Sequence, residues 1–331
     1  MEDHKIIEAI DEDKEESGVS ILRPERLSNF VGQASVKNNL SIFIQAAQKR
    51  GEAIDHILFY GPPGLGKTSL SRIVSKEMGV GFKMVSGPII TKAGDLIAIL
   101  TNLNSYDIIF IDEIHRLSSS IEEMLYSAME DGSVDITIGE GPSAKSIKID
   151  LPPFTLIGAT TRLGLISNPL QDRFGIVCKM QFYEEEELKE VIEKAAKKLQ
   201  IRIEGEASSV LAKAGRGTPR IALRLLKRVR DFATIDHGEV HIDYAAACNT
   251  LKQLDIDDRG LGLLDYAYIN FIWSNYGGGP VGLETIAAGL SEDKGAIIEV
   301  IEPYLMQIGF VNRTNRGRVL TSKCIESFKF K

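Results

Sequence analysis

Gly61-Pro62-Pro63-Gly64-Leu65-Gly66-Lys67-Thr68-Ser69 has the residue types and the spacing of a phosphate cradle. It satisfies G-x-x-x-x-G-K-[ST] at every fixed position. Glycines let the backbone turn until successive N–H groups point at phosphate oxygens, and a helix that starts there adds partial positive charge beneath them. Lys67 can reach the β- and γ-phosphates of a nucleoside triphosphate, and the Thr68 hydroxyl can hold Mg²⁺. A glycine-rich turn without a ligand would account for the glycines. It would leave the lysine–hydroxyl pair unexplained, so the reading is a triphosphate site.

A second group of residues fits the same chemistry. Ile108-Ile109-Phe110-Ile111-Asp112-Glu113 is an apolar run that ends in two acids, with Asp112 lying 45 residues after Lys67. That distance lets it be the strand beside the cradle. Asp112 would enter the Mg²⁺ shell, and Glu113 would orient and deprotonate an attacking water. Two solvated acids at a strand end are common, and only the cradle turns this pair toward hydrolysis. No Asn-Lys-x-Asp base-reading motif occurs, which weighs against GTP. A third apolar run, Thr155-Leu156-Ile157-Gly158-Ala159, ends in Thr160-Thr161-Arg162. A hydroxyl there would lie between the other two motifs and sense the γ-phosphate.

Two arginines complete the set. Arg173, in Pro169-Leu170-Gln171-Asp172-Arg173-Phe174-Gly175, could enter a neighbouring subunit's site, where such a finger is worth ~10³ to 10⁵ in rate. By itself it reads equally as a surface arginine in a salt bridge. Arg220 follows Gly217-Thr218-Pro219 at the start of a helical pattern, with Thr218 as cap and Pro219 at the first helical position. A cation there opposes the helix dipole, which hints at contact with bound phosphates.

These residues need elements to hold them. Ile57–Tyr60 reads as a buried strand before the cradle and Ser69–Met78 as a helix after it. From about Leu22 to Tyr183, short apolar runs alternate with helical patterns such as Val36–Lys49 and Ile121–Met129, which predicts an α/β domain with a parallel sheet. At Glu184 the character changes. Leu188, Val191, Ile192, Ala195 and Leu199 keep helical spacing, no strand is obvious until about Gln253, and Glu184–Glu187 suit a first helical turn. From near Asp257 two helical patterns, Leu283–Leu290 and Asp293–Met306, flank Ser291 as the expected cap. Gly309–Arg313 and Arg318–Thr321 then read as a hairpin around Thr314-Asn315-Arg316-Gly317. Helix, turn, helix and basic hairpin predict a winged helix.

Composition sets the class. The chain has 331 residues, 44% hydrophobic and 26% charged, with no run long enough to span a membrane and no apolar leader. Cys178, Cys248 and Cys324 are far apart and form no C-x-x-C, which argues against both a zinc site and a disulfide framework and fits a reducing cytoplasm. The net charge of −7 is uneven: Glu2–Glu16 holds eight acids and two lysines, read as a mobile arm, whereas Gly309–Lys331 holds six basic residues and one acid. Local charge governs contacts, so DNA is not excluded.

Together the motifs resemble the AAA+ ATPases. Phe30-Val31-Gly32-Gln33, Asp112-Glu113-Ile114-His115-Arg116-Leu117, Met129-Glu130-Asp131, Ile138-Gly139-Glu140-Gly141-Pro142, Asp172–Gly175, Arg216–Arg220 and Arg313–Arg318 further resemble the RuvB family of Holliday junction branch migration motors. The resemblance covers nearly the whole chain after residue 20. It implies an acidic arm over 1–20, a large ATPase domain over 21–183, a helical lid over 184–256 and a winged-helix head over 257–331. It implies that Leu22 and Arg23 lie by the adenine of ATP. Gly64, Lys67, Thr68 and Ser69 would bind phosphates, and Thr68 and Asp112 would hold Mg²⁺. Glu130, Asp131, Gly132 and Tyr183 would line the nucleotide site. Thr161 would be the γ-phosphate sensor, Arg173 the finger and Arg220 the lid sensor. Arg313, Arg316 and Arg318 would meet DNA phosphates; about three such contacts give a log–log salt slope near −2.7. The 135–151 segment would dock a RuvA-type junction-binding protein. A hexameric ring, a RuvC-type resolvase, and roles in recombination, repair and the SOS response are also implied. Asn315 departs from the expected proline, which touches only wing rigidity. A clamp-loader-type remodelling ATPase and an ATP-switched DNA-binding regulator are the alternatives; the basic wing and Gly-Glu-Gly-Pro segment oppose the first, and Glu113 discriminates the second.

Overall fold

The computed structural model describes residues 22–138, 145–237 and 241–328. The expected acidic arm and the Gly139–Pro142 tip lie outside the described residues. The chain divides into two compact units: the residues up to Gly61 with Leu65–Gln181, and Pro62–Gly64 with Phe182 onward.

In the first unit, α1 (Ala34–Arg50) precedes β1 (Ile57–Tyr60), α2 (Lys67–Met78), β2 (Phe82–Ser86), α3 (Ala93–Thr101), β3 (Ile108–Asp112) and α4 (Ser119–Glu130). The antiparallel pair β4 (Ser133–Ile138) and β5 (Lys145–Asp150) follows, then β6 (Thr155–Thr160), α5 (Asn168–Gln171) and β7 (Ile176–Lys179). The main sheet is parallel, in the order β2-β3-β6-β1-β7. Its central strands are buried on both faces, so they read as unbroken apolar runs rather than alternating ones. Leu58, Ile109, Ile111 and Leu156 join Leu96, Leu100, Ile121 and Leu125 of the covering helices in one core.

The sheet order corrects one expectation. The strand ending in Asp112 does not neighbour β1; β6 lies between them, paired to β1 through Tyr60 and Thr160 and to β3 through Ile111 and Gly158. The end of β6 thus lies between the other two motifs, as expected of its threonines, because helical crossovers let a later strand insert between earlier ones. The insertion places the carboxyl ends of β1, β6 and β3 side by side, where ligands of open α/β sheets bind.

The second unit begins with α6 (Glu185–Lys198), capped by Glu184, whose N–H donates to Glu187 Oε2 at 3.0 Å. Then come β8 (Arg202–Ile203), α7 (Gly205–Ala214), α8 (Pro219–His237), β9 (His241–Ile242) and α9 (Tyr244–Gln253). The parallel two-residue contact of β8 with β9 was not legible in sequence, being too short for any periodicity. Next are α10 (Leu263–Tyr276), α11 (Leu283–Leu290), α12 (Lys294–Ala296), a π-helical turn over Ile297–Ile301, and α13 (Glu302–Gln307). The hairpin β10 (Val311–Thr314) and β11 (Gly317–Leu320) and then α14 (Ser322–Phe328) end the described chain. Tyr268, Ile272, Ile286, Ile297, Leu305, Val311 and Leu320 form this region's core. Ser291 does not cap α12: it closes α11 in the left-handed conformation (φ 56°), and Asp293 is the cap, accepting from Gly295 N–H at 2.6 Å. A parallel sheet with helices, a helical region and a winged helix thus follow in the expected order.

Candidate functional site

The phosphate loop is held open by backbone geometry. Gly61 has φ 140° and donates its N–H to Thr160 O at 3.2 Å; a Cβ there would sit 2.8 Å from Met180 O, so no other residue fits. Gly66, at φ 99°, starts α2, which begins at Lys67 rather than at the expected Ser69. The helix thereby aims its first free N–H groups into the loop. Lys67 is buried and its Nζ donates to Gly61 O at 2.8 Å, spanning the loop, with Thr68 and Ser69 half-buried in the first turn.

Beside the loop, Asp112 Oδ1 accepts the Glu113 N–H at 3.0 Å. Glu113 itself lies in the left-handed region (φ 52°, ψ 39°), a conformation that costs a non-glycine residue roughly 1–3 kcal/mol. Gly87 admits its carbonyl, since a Cβ there would come within 2.6 Å of Glu113 O. Sequence reasoning assigned no part to His115. Its Nε2 is 3.4 Å from Glu113 Oε2 and its Nδ1 is 3.0 Å from Thr160 Oγ1, which also accepts the Arg162 N–H at 2.9 Å. The ring ties the two acids' turn to the end of β6. Its local signal is its place in the Asp112–Leu117 run, two residues after Glu113.

The residue that follows β6, Thr161, carries a buried Oγ1 with no hydrogen-bond partner. Leaving such a hydroxyl unpaired costs about 1–3 kcal/mol, and a phosphate oxygen would satisfy it. Lys67, Thr161 and the loop amides therefore suit a polyphosphate. Among the described residues no group of three or more His, Cys, Asp or Glu side chains could hold a metal. A donor set of Thr68 hydroxyl and Asp112 carboxylate suits Mg²⁺, which binds through one or two carboxylates and substrate phosphates.

Arg173 and Glu130 come together. Arg173 Nη2 donates to Glu130 Oε2 at 2.5 Å, its Nη1 to Pro169 O at 2.7 Å, and its guanidinium stacks over Tyr126 at 4.8 Å. Met129, Glu130, Asp172 and Arg173 line an open depression of about 440 Å³, with Asp131 and Gly132 next in sequence. Leu22 is buried and Arg23 half-buried.

In the second unit, Arg220 is exposed and its N–H donates to Gly64 O at 3.4 Å. The Thr218 hydroxyl donates to Arg216 O rather than accepting from the helix, and buried Tyr183 donates its N–H to Gly217 O. Arg216 pairs with buried Asp265, donates to Gly260 O at 2.6 Å and stacks on Tyr304.

On the hairpin, Arg313 and Arg318 are directly cross-strand and Arg316 is exposed in the turn. Like charges so placed repel. Glu302, fully buried, lies against both: Arg318 donates Nε to Oε1 at 2.7 Å, and Arg313 donates Nη2 to Oε2 at 2.5 Å. Burial pushes the Glu302 pKa up, but the hydrogen bonds and charges of Arg318 and Arg313 outweigh it and hold the carboxyl below its ordinary value.

Residues 22–180 match the family model described as the Holliday junction DNA helicase RuvB P-loop domain. Residues 183–257 match the RuvB AAA lid domain, and 258–329 the RuvB C-terminal winged helix domain. Among solved structures, the chain is similar to the Thermotoga maritima RuvB Holliday junction branch migration motor, at TM-score 0.86 and 46% identity over 94% of this chain and 99% of that one. An alanine-to-serine mutant of Thermotoga RuvB aligns at TM-score 0.87 and 46% identity, with the same coverage of both chains. A proline-to-glycine mutant aligns at 0.86 and 47%, over 93% of this chain and 99% of that one.

Proposed function

The chain belongs to the RuvB family of Holliday junction DNA helicases, and on that premise we propose that it is an ATP-driven motor for branch migration of Holliday junctions in recombination and repair. The observation that carries the reading is the adjacency of the ends of β1, β6 and β3, which gathers Gly61–Ser69, Thr161 and Asp112–Glu113 at one edge of the sheet. Lys67 and the loop amides bind phosphates, and Leu22, Arg23 and Tyr183 line the nucleotide site. Mg²⁺ on Thr68 and Asp112 would neutralise charge on the β- and γ-phosphates. Glu113 takes the proton of the attacking water, and Thr161 senses the γ-phosphate. Arg220 reports that state to the lid.

The chain acts in a hexameric ring. Glu130, Asp131 and Gly132 also line the nucleotide site, and Arg173 serves the neighbour's nucleotide, so hydrolysis requires assembly. The orphaned Nε of Arg173 supports that role. Boundaries at 183/184 and 256/257 separate ATPase domain, lid and head. Arg313, Arg316 and Arg318 contact the duplex backbone without reading sequence. The β4–β5 hairpin, with Ile147 exposed, docks a RuvA-type protein, and a RuvC-type resolvase acts at the same junction. Among the described residues no helix is long and apolar enough to cross a membrane, and the site of action is the cytoplasm, within the SOS response. The test is ATP-dependent branch migration of a synthetic four-way junction, with and without a RuvA-type partner. Migration is expected with the partner; its absence under both conditions refutes the proposal.

A further inference from the structure

Glu302 lies outside the runs on which the family resemblance was read, yet it is the most completely enclosed charge of the wing. It is 0% exposed, and both its oxygens are taken. Oε1 accepts from Arg318 Nε at 2.7 Å and from the Tyr268 hydroxyl at 3.1 Å. Oε2 accepts from Arg313 Nη2 at 2.5 Å and from Arg318 Nη2 at 3.3 Å. It opens α13 directly after the π-helical turn, a widening of the helix that is often found at functional sites.

The two arginines differ in how far they are enclosed: the Arg318 side chain is 13% exposed, that of Arg313 46%. Glu302 uses Nε and Nη2 of Arg318 and Nη2 of Arg313, so each guanidinium keeps donors on its other edge. A buried carboxylate that removes two facing cations from mutual repulsion also subtracts its own charge from what they show to solvent. Two guanidiniums and one carboxylate leave a single net positive charge.

We propose that Glu302 is a positioning residue for DNA, which holds Arg313 and Arg318 as one preset pair and halves their charge, keeping the motor's grip on phosphates loose. The inference rests on the reading of the hairpin as the DNA contact. A motor that moves along a duplex must release each phosphate it binds, and counterion release makes every full cation on the interface strengthen binding at low salt. With Glu302 in place the pair counts as about one charge.

The experiment is binding of a short labelled duplex of mixed sequence across a salt series. Glu302→Gln removes the charge and keeps the size, so its log–log slope is expected to steepen by about 0.9 for each subunit engaged. Glu302→Asp is expected to return the slope to that of the unmodified protein. An unchanged or shallower slope for a Glu302→Gln protein whose thermal melt shows it folded overturns the inference. Should that variant not fold, Glu302→Met with Arg318→Met replaces the pair by apolar side chains, a change that buried ion pairs often tolerate. It leaves Arg313 as one free charge, so the slope stays as in the unmodified protein; a loss of about 0.9 per subunit would mean that both arginines already act at full strength and overturns the inference. Arg313→Ala with Arg318→Ala separates the two readings. If that protein binds DNA normally at every salt concentration, the hairpin is not the DNA site. If it binds weakly while Glu302→Gln changes nothing, only the role of Glu302 falls.

Discussion

Replacing Arg173 by alanine separates a structural arginine from a catalytic one. In the folded chain the side chain bonds to Glu130 and Pro169 O and stacks on Tyr126. Its side chain is 28% exposed and that of Glu130 64%, so the ion pair is worth at most about 1 kcal/mol. The stacking adds roughly another 0.5–1 kcal/mol. Arg173→Ala should then lower the melting temperature by less than about 8 °C for a unit of this size. Its effect on turnover should be of another order. An arginine that neutralises charge in the transition state supplies ~10³ to 10⁵ in rate, or about 4–7 kcal/mol. The assay is phosphate release at saturating ATP, with nucleotide binding measured in parallel: binding persists while turnover disappears. Mixing Arg173→Ala subunits with Lys67→Ala subunits should restore turnover at about a quarter of the interfaces if assembly is random. Normal turnover by Arg173→Ala alone, or a dead mixture of two folded variants that co-assemble, would refute action in trans.

Glu113→Gln should cost about 10² to 10⁴ in turnover with nucleotide affinity retained, as measured by single-turnover hydrolysis and equilibrium binding. Thr161→Val removes a hydroxyl with no partner in the folded chain, so chemical denaturation should show stability equal or raised while ATP turnover falls. Arg216→Ala strips the partner of Asp265, whose side chain is 4% exposed, and should destabilise by about 3–5 kcal/mol in urea unfolding. The depressed carboxyl of Glu302 contributes stability that is fully present above its ordinary pKa of 4.5 and is lost as pH falls through its lower folded value. Urea unfolding of the unmodified protein should therefore weaken below about pH 4.5, with Glu302→Gln showing a shallower decline. Parallel curves for the two proteins would contradict the assignment.

The features legible in sequence are those encoded locally. Gly61–Ser69 could be read because a loop with positive φ at three separated positions, Gly61, Gly64 and Gly66, needs glycine at fixed spacing, and a lysine and hydroxyl must follow on the first helical turn. Ile57–Tyr60, Ile108–Asp112 and Thr155–Thr160 could be read because strands buried on both faces have no polar residue to interrupt them. The hairpin of Arg313 and Arg318 announced itself through Asn315 and Gly317; Gly317 is required because a Cβ there would meet Val281 O at 2.3 Å. Ser291 was misread as a cap because a left-handed serine ending one helix and a serine starting the next look alike in a string of residues.

Sequence by itself determined the chemistry available to this protein: a phosphate loop, two acids at a strand end, a hydroxyl at another, and a basic wing, each specified within a few consecutive residues. Only the tertiary structure decided which of these meet. It linked Glu113 to Thr160 through His115, turned Arg173 onto Glu130, and placed Glu302 between two arginines that follow it by 11 and 16 residues. Such pairings depend on how helices cross a sheet and on which buried charge lacks water. Both are settled by packing among distant segments, and no local pattern carries them.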